Sequence, residues 1–287
     1  MILLFKQQGW AEIKAAFQQV TWSCLFVCLA LIFVSRFAVA GRWHILLAAV
    51  EDITFFQSLR LTFAGLFATN FLPTTIGGDI VRLAGAKQYK LNVAVSTASL
   101  IMDRLVGMLG MAMALPFGTQ PLFSWFSSTS MSWSGNLLGF SSPFFSRLFQ
   151  KTREFLHRII QTFKLWSNHP ASWLASIGFT LIHMLCFFGA IALLLDGMGE
   201  HLSLGLIGGL WSFVYFVTLI PISINGYGVQ EISMTFIFNQ VGGISLENSL
   251  AISVLFRTLI VAGSVPGVLF VPGIIAGKKD QEDNHLP

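Results

Sequence analysis

Apolar residues run along this chain in long unbroken blocks, with none of the alternation that marks a half-buried strand. In 24-CLFVCLALIFV-34 every residue is apolar. Blocks that approach the roughly 20 residues needed to cross a hydrocarbon core predict membrane helices. A spanning barrel, the other structure that satisfies its own backbone in lipid, would alternate apolar and polar residues. The first predicted span covers about 20–41, behind a short amphipathic helix at 10–19, and ends at Arg36, Arg42 and Trp43. The block 55–82 is broken by Pro73, Gly77 and Gly78 and then meets Asp79 and Arg82, which predicts a re-entrant hairpin. No Asp, Glu, Lys, Arg or His occurs from Leu105 to Ser146, long enough for two crossings, of which 122–146 is rich in Ser and Trp. A basic amphipathic helix follows at 147–166, suited to an anionic membrane surface. Further spans are predicted at 172–195, 202–222, 229–246 and 248–276. The expectation is an all-α polytopic integral membrane helix bundle of about seven spans plus re-entrant broken helices. Residues 1–276 would form one transmembrane domain, and 277–287 a polar, disordered cytoplasmic tail.

Composition narrows the class further. Of 287 residues, 54% are hydrophobic and 10% charged, and the mean hydropathy is +0.72. A soluble domain carries about 25% charged residues. The net charge of +4 is dispersed near the ends of apolar blocks, which argues for cytoplasmic loops and against nucleic-acid binding. With this threading 13 of the 17 bases lie on the cytoplasmic side, and Lys6 and Lys14 lie outside. A multi-pass protein of the cytoplasmic membrane is the resulting expectation. Cys24, Cys28 and Cys186 all sit within apolar blocks and read as small hydrophobes. The six histidines show no i, i+4 metal spacing, and there is no phosphate loop, dinucleotide fingerprint or nucleophile elbow. No cofactor or metal is expected, and no ATP-driven pump.

A short pattern occurs twice. Residues 73–78 read PTTIGG and residues 221–226 read PISING, both fitting P-x-[ST]-I-x-G, one in each half of the chain. Paired Gly/Pro interruptions of this kind point to a transporter's binding site. Proline removes a backbone donor, and glycine permits non-helical turns, so the freed backbone ends can become ligands. The bland alternative is a pair of packing kinks. Candidate helix-break positions are Pro73, Gly77, Gly78, Pro221, Gly226 and Gly228. Candidate substrate-binding residues are Asn70, Asp79, Arg82, Asp103, Arg104, Asn225, Tyr227, Glu231 and Arg257. Arg257 lies inside a long apolar block, where a lipid-facing charge would cost roughly 2.5–3.5 kcal/mol or more. It is expected to face inward and to pair with Glu231 or Asp79, or to bind an anionic headgroup; a purely structural ion pair is the competing reading. Asp103 and Arg104, adjacent on a helix, point about 100° apart and should serve different partners. Arg60 either snorkels to headgroups or reaches the cavity. Asn70 and Asn225 flank the breaks as possible caps, and Tyr227 is either a gate or packing.

At these residues the chain resembles the lysylphosphatidylglycerol synthetase/flippase transmembrane family, also described as flippase-like. The matching elements are RW at 42–43, NFLPTTIGGDIVR at 70–82, DR at 103–104, PISINGYGVQE at 221–231 and Arg257. Their order covers about 10–276. Members often begin with one more helix, here reduced to MILLFKQQGW, and the two-domain enzymes add a soluble aminoacyl-transferase domain after the membrane part. The resemblance therefore implies the lipid-translocating half. It implies a membrane lipid as partner, whether a phospholipid (aminoacylated in some members), a hopanoid or a polyprenyl-linked sugar, and a separate lipid-modifying enzyme as a further partner. The function expected is movement of an anionic, aminoacylated or polyprenyl-linked headgroup across the bilayer. Two rivals remain: an integral membrane lipid-linked glycosyl or aminoacyl transferase, for which no D-x-D pair is seen, and a non-transporting partner of a lipid-modifying enzyme.

Overall fold

The structure is a computed structural model that describes residues 18–72, 77–128, 166, 168–219 and 226–274. Nine α-helices and a terminal 3-10 turn account for nearly all of them, and no strand occurs among the described residues. Helix α1 spans Trp22–Ala48, α2 Phe55–Thr69, α3 Gly77–Gln88, α4 Val93–Ala114 and α5 Pro116–Ser128. Helix α6 spans Pro170–Gly197, α7 Leu204–Thr218, α8 Val229–Gln240 and α9 Leu246–Ala262, followed by the 3-10 turn Val265–Leu269. Several begin on a side chain that accepts an otherwise orphaned first-turn amide. Thr21 caps α1, Thr54 caps α2 reciprocally with Gln57, Asn92 caps α4, Ser203 caps α7 and Ser245 caps α9.

Four helical segments are long and apolar enough to cross a membrane: Trp22–Ala48, Val93–Ala114, Pro170–Gly197 and Leu246–Leu269. The seven crossings expected from sequence are not reached among the described residues. The blocks 202–222 and 229–246 become α7 and α8, of 15 and 12 residues. At 1.5 Å per residue these reach only about 22 and 18 Å against a core of about 30 Å. The span thought to start at Leu105 starts at Val93, so Asp103 and Arg104 fall in mid-helix. Beyond Ser128 the block 122–146 lies outside the described residues, as do the pattern at 73–76, most of 147–166, the segment 10–17 and the tail 277–287.

Helices α2 and α3 fold back on each other. Their approach is fixed by glycine: a Cβ on Gly78 would stand 2.1 Å from Thr69 Oγ1 and 2.5 Å from the Gly65 carbonyl oxygen. Helices α7 and α8 fold back likewise, with Gly226 beside Thr218 at the tip and Gly242 beside Leu210. The helix lengths recur in order, 27, 15, 12 and 22 residues for α1–α4 and 28, 15, 12 and 17 for α6–α9, before the 3-10 turn lengthens the last. The long helices α1 and α6 share the most extensive interface. They meet in an apolar core that includes Ile32, Phe187, Ile191, Leu194 and Phe256. Where they cross, Ser35 Oγ lies 2.7 Å from His183 Nδ1; each is the fourteenth residue of its helix.

Candidate functional site

Charge gathers in two places, each at the start of a short helix. In the first half, Asp79 is the third residue of α3, where exposed amides favour a carboxylate. It accepts from Arg104 Nε on α4 and, at 3.4 Å, from Arg82 Nη1 one turn along α3. Arg82 also reaches Asp103 Oδ2 at 3.3 Å. The other oxygen of Asp103 takes Arg42 Nε of α1 at 2.7 Å, and Arg42 Nη1 donates onward to Thr180 Oγ1 of α6 at 3.3 Å. The guanidinium of Arg82 lies over the Trp43 ring at 4.1 Å, and the Trp43 indole N–H is held by Ser99. Adjacent residues of α4 thus go to different partners. Asp103, 3% exposed, faces inward to two arginines, while Arg104 turns to Asp79. Two guanidinium donors of Arg82, Nε and Nη2, are buried with no hydrogen-bond partner among the described residues.

In the second half, Glu231 is the third residue of α8. The turn before it holds Gly228 at φ +80°, a left-handed backbone that glycine adopts without strain, and aims its N–H at Glu231 Oε2, 2.7 Å away. Glu231 Oε1 lies 3.4 Å from Arg257 Nε on α9. Arg257 Nη1 donates to Gln230 Oε1 at 2.7 Å, and its guanidinium covers the exposed Tyr227 ring at 4.0 Å. The two pairs occupy matching positions. Asp79 and Glu231 are third in twelve-residue helices; Arg104 and Arg257 are twelfth in the helices that follow.

Beside the first pair an open groove of about 410 Å³ runs between α3 and α4. Asp79 and Arg104 supply its charge; Ile80, Leu83, Ile101 and Met108 are among its apolar walls. A slot with one charged patch and greasy sides matches an amphiphile better than a soluble ion. Residues 1–267 match the family model described as the lysylphosphatidylglycerol synthase TM region. The chain belongs to that family. No curated protein and no solved structure matches it. Membership places the chain among membrane proteins with a lipid-related role.

Within this family member the candidate residues divide. Asp79, Arg82, Asp103 and Arg104 come together in one network, and Tyr227, Glu231 and Arg257 in the other. Asn70 is the C-cap of α2, and its side chain donates to Leu66 and Phe67 carbonyls and, at 2.7 Å, to Ser264 Oγ. It ties the first hairpin to the end of α9. Gly77 opens α3, Gly78 lets the hairpin close, and Gly226 and Gly228 both have positive φ. Pro73, Pro221 and Asn225 lie outside the described residues. Arg60 stays on the surface, over the Phe56 ring at 4.7 Å. Among the described residues no three His, Cys, Asp or Glu side chains converge as metal ligands would.

Arg42, Trp43, Gln230 and Arg36 are not among the candidate binding residues read from the sequence, although RW at 42–43 is one of the family-matching elements. The sequence reading placed Arg36 and Arg42 at a cytoplasmic helix end, but both are interior, 7% exposed, with Arg36 at the middle of α1. They report nothing on sidedness. The available signal was their six-residue spacing inside an otherwise apolar helix, where a charge requires a partner.

Proposed function

We propose that this chain is a flippase-like protein of the cytoplasmic membrane that moves a lipid bearing an anionic headgroup between leaflets. The observation that carries the reading is the matched pair of acid–arginine clamps at the two short helices. We take the helix series α1–α4 and α6–α9 to be the halves of one structural repeat, each contributing a crossing, a broken hairpin and a second crossing. Transporters of this construction bind at the repeat interface, next to discontinuous helices. In this arrangement the expected crossings become four, with two hairpins that dip into the bilayer and return.

The chemistry favours an anion. Three carboxylates are spread over Arg42, Arg82, Arg104 and Arg257, while Arg82 keeps two buried donors unused. A phosphate oxygen meets a guanidinium edge well. The headgroup sits at the Asp79–Arg104 pair, and the acyl chain packs against the apolar walls beside it, such as Ile80, Leu83 and Ile101. Asp79 and Glu231 hold the arginines in place and can receive a cationic part of the headgroup. Movement follows a gradient or is coupled to an ion, in keeping with a sequence in which no nucleotide-binding motif is seen.

The test is leaflet-selective labelling of anionic and zwitterionic phospholipids in liposomes carrying purified protein. Arg104→Ala and Glu231→Gln should each slow redistribution of the anionic lipid at least ~10-fold, the loss expected of one charge-assisted contact worth about 1.5–3 kcal/mol. Full activity in both variants overturns the reading. Chemical conversion of lipid by the purified protein with a labelled donor, without redistribution, replaces it with a lipid-linked transferase.

A further inference from the structure

Arg36 is unaccounted for by either clamp. It has about 20 Å of helix on each side within α1, which puts it at the centre of the longest apolar stretch of the first half. It is 7% exposed. Among the described residues its hydrogen bond runs from Nη2 to the Ile260 carbonyl at 3.2 Å, near the end of α9. Its guanidinium stands 5.7 Å from the Phe187 ring, and Nε is buried without a partner among the described residues. No carboxylate pairs with it among the described residues; Asp79, Asp103 and Glu231 are engaged by Arg42, Arg82, Arg104 and Arg257. Arg257, of the same sign, stands one turn before Ile260 on α9.

Capping of α9 is a complete structural explanation only if a neutral donor would not serve. Helix carbonyls freed at a C-terminus are met as well by Ser, Asn or water. A full positive charge in mid-bundle, facing another positive charge, is costly unless a counter-charge arrives. We propose that Arg36 is a second anion station, holding a phosphate-class group between α1 and α9 with Arg257 at its side. The inference rests on the reading that the charged interior takes an anionic headgroup, and it extends that reading from one site to a path. Arg42 belongs to the first network and lies about 9 Å along α1 from Arg36. Arg36 therefore stands on α1 between the first network, reached through Arg42, and the helix that carries Arg257 of the second clamp. The shared chemistry is a phosphate oxyanion, carried by a lipid headgroup or free in solution.

Purified protein in neutral detergent is melted alone, with phosphatidylglycerol, with phosphatidylcholine, and with inorganic phosphate. Wild type should gain thermal stability with phosphatidylglycerol and not with phosphatidylcholine. The same gain with inorganic phosphate identifies a free-anion site; its absence identifies a headgroup site. Arg36→Met should melt higher than wild type without lipid, because an uncompensated charge is removed, and should lose a measurable part of the anion-dependent gain, the Asp79–Arg104 groove keeping the rest. A lower melting point for Arg36→Met marks a structural clamp and overturns the proposal. So does an unchanged anion-dependent gain, or the absence of any gain in wild type. If Arg36→Met does not fold, Arg36→Lys against Arg36→Gln decides: Lys keeps the gain and Gln loses part of it, and equal behaviour overturns the proposal. An Arg104→Ala variant that loses the gain while Arg36→Met retains it removes the second station and leaves the first site standing. Retention in both removes both.

Discussion

A carboxylate 3% exposed and shared by two arginines is stable only as a set. Removing the negative charge from Asp103 strands Arg42 and Arg82 in a dry interior, and breaking a buried pair in this way costs about 3–5 kcal/mol. Asp103→Asn should therefore lower the melting temperature and yield in detergent sharply. Asp196→Asn, which disrupts an exposed pair with His201, should stay within ~1 kcal/mol of wild type. Equal effects in a melting comparison would mean that the Asp103 network is solvated. At this scale the sequence was informative about which residues carry charge in apolar blocks, and Asp79, Arg82, Asp103, Arg104, Glu231 and Arg257 all lie in the two clusters. It was misleading for Arg36 and Arg42. A base near the expected end of a span looks the same whether it faces lipid headgroups or an aspartate on a distant helix, and only tertiary pairing separates the two.

The element that holds the first clamp is a pair of short helices packed backbone to backbone. Gly78 sits where any side chain would meet the Gly65 carbonyl, so Gly78→Ala must push α2 and α3 apart. That shift moves Asp79, the next residue, away from Arg104. Overpacking of this kind costs about 1–3 kcal/mol. Gly178→Ala on α6 meets nothing within 4 Å and should be neutral or slightly stabilising, since alanine is favoured over glycine in a helix by about 1 kcal/mol. Melting curves of the two variants check the contrast, and a Gly78→Ala protein as stable as wild type would refute the close-packed hairpin. The two-legged shape of 55–88 could be anticipated from its proline and glycines. The matching shape at 204–240 was hidden, because the apolar blocks on either side of the break were each long enough to pass for a span. Periodicity cannot distinguish a crossing from half of a hairpin when both are apolar throughout; the glycine turn at 226–228 makes the distinction.

At the level of the whole molecule, the question is whether two clamps at matching positions act in one cycle or as separate sites. They are alike in position but not in reach. Among the described residues Asp79 accepts from arginines, whereas Glu231, one methylene longer, also accepts its own turn's Gly228 N–H. Exchanging the lengths, Asp79→Glu and Glu231→Asp, preserves each charge and displaces it by about one C–C bond, so residual activity remains measurable. If a headgroup passes both clamps in series, the slower step governs, and the double variant should redistribute lipid about as slowly as the slower single variant. Two separate paths would instead leave each single variant carrying the flux of the untouched clamp, so each single loss would be small and only the double variant would fall several-fold. In series, each single variant is expected to slow redistribution several-fold, within the ~10-fold that about 1.4 kcal/mol represents. Near-normal single variants with a several-fold slower double variant would separate the two clamps into unrelated sites. That outcome would also remove the reason for treating the recurring helix lengths as two halves of one transport path.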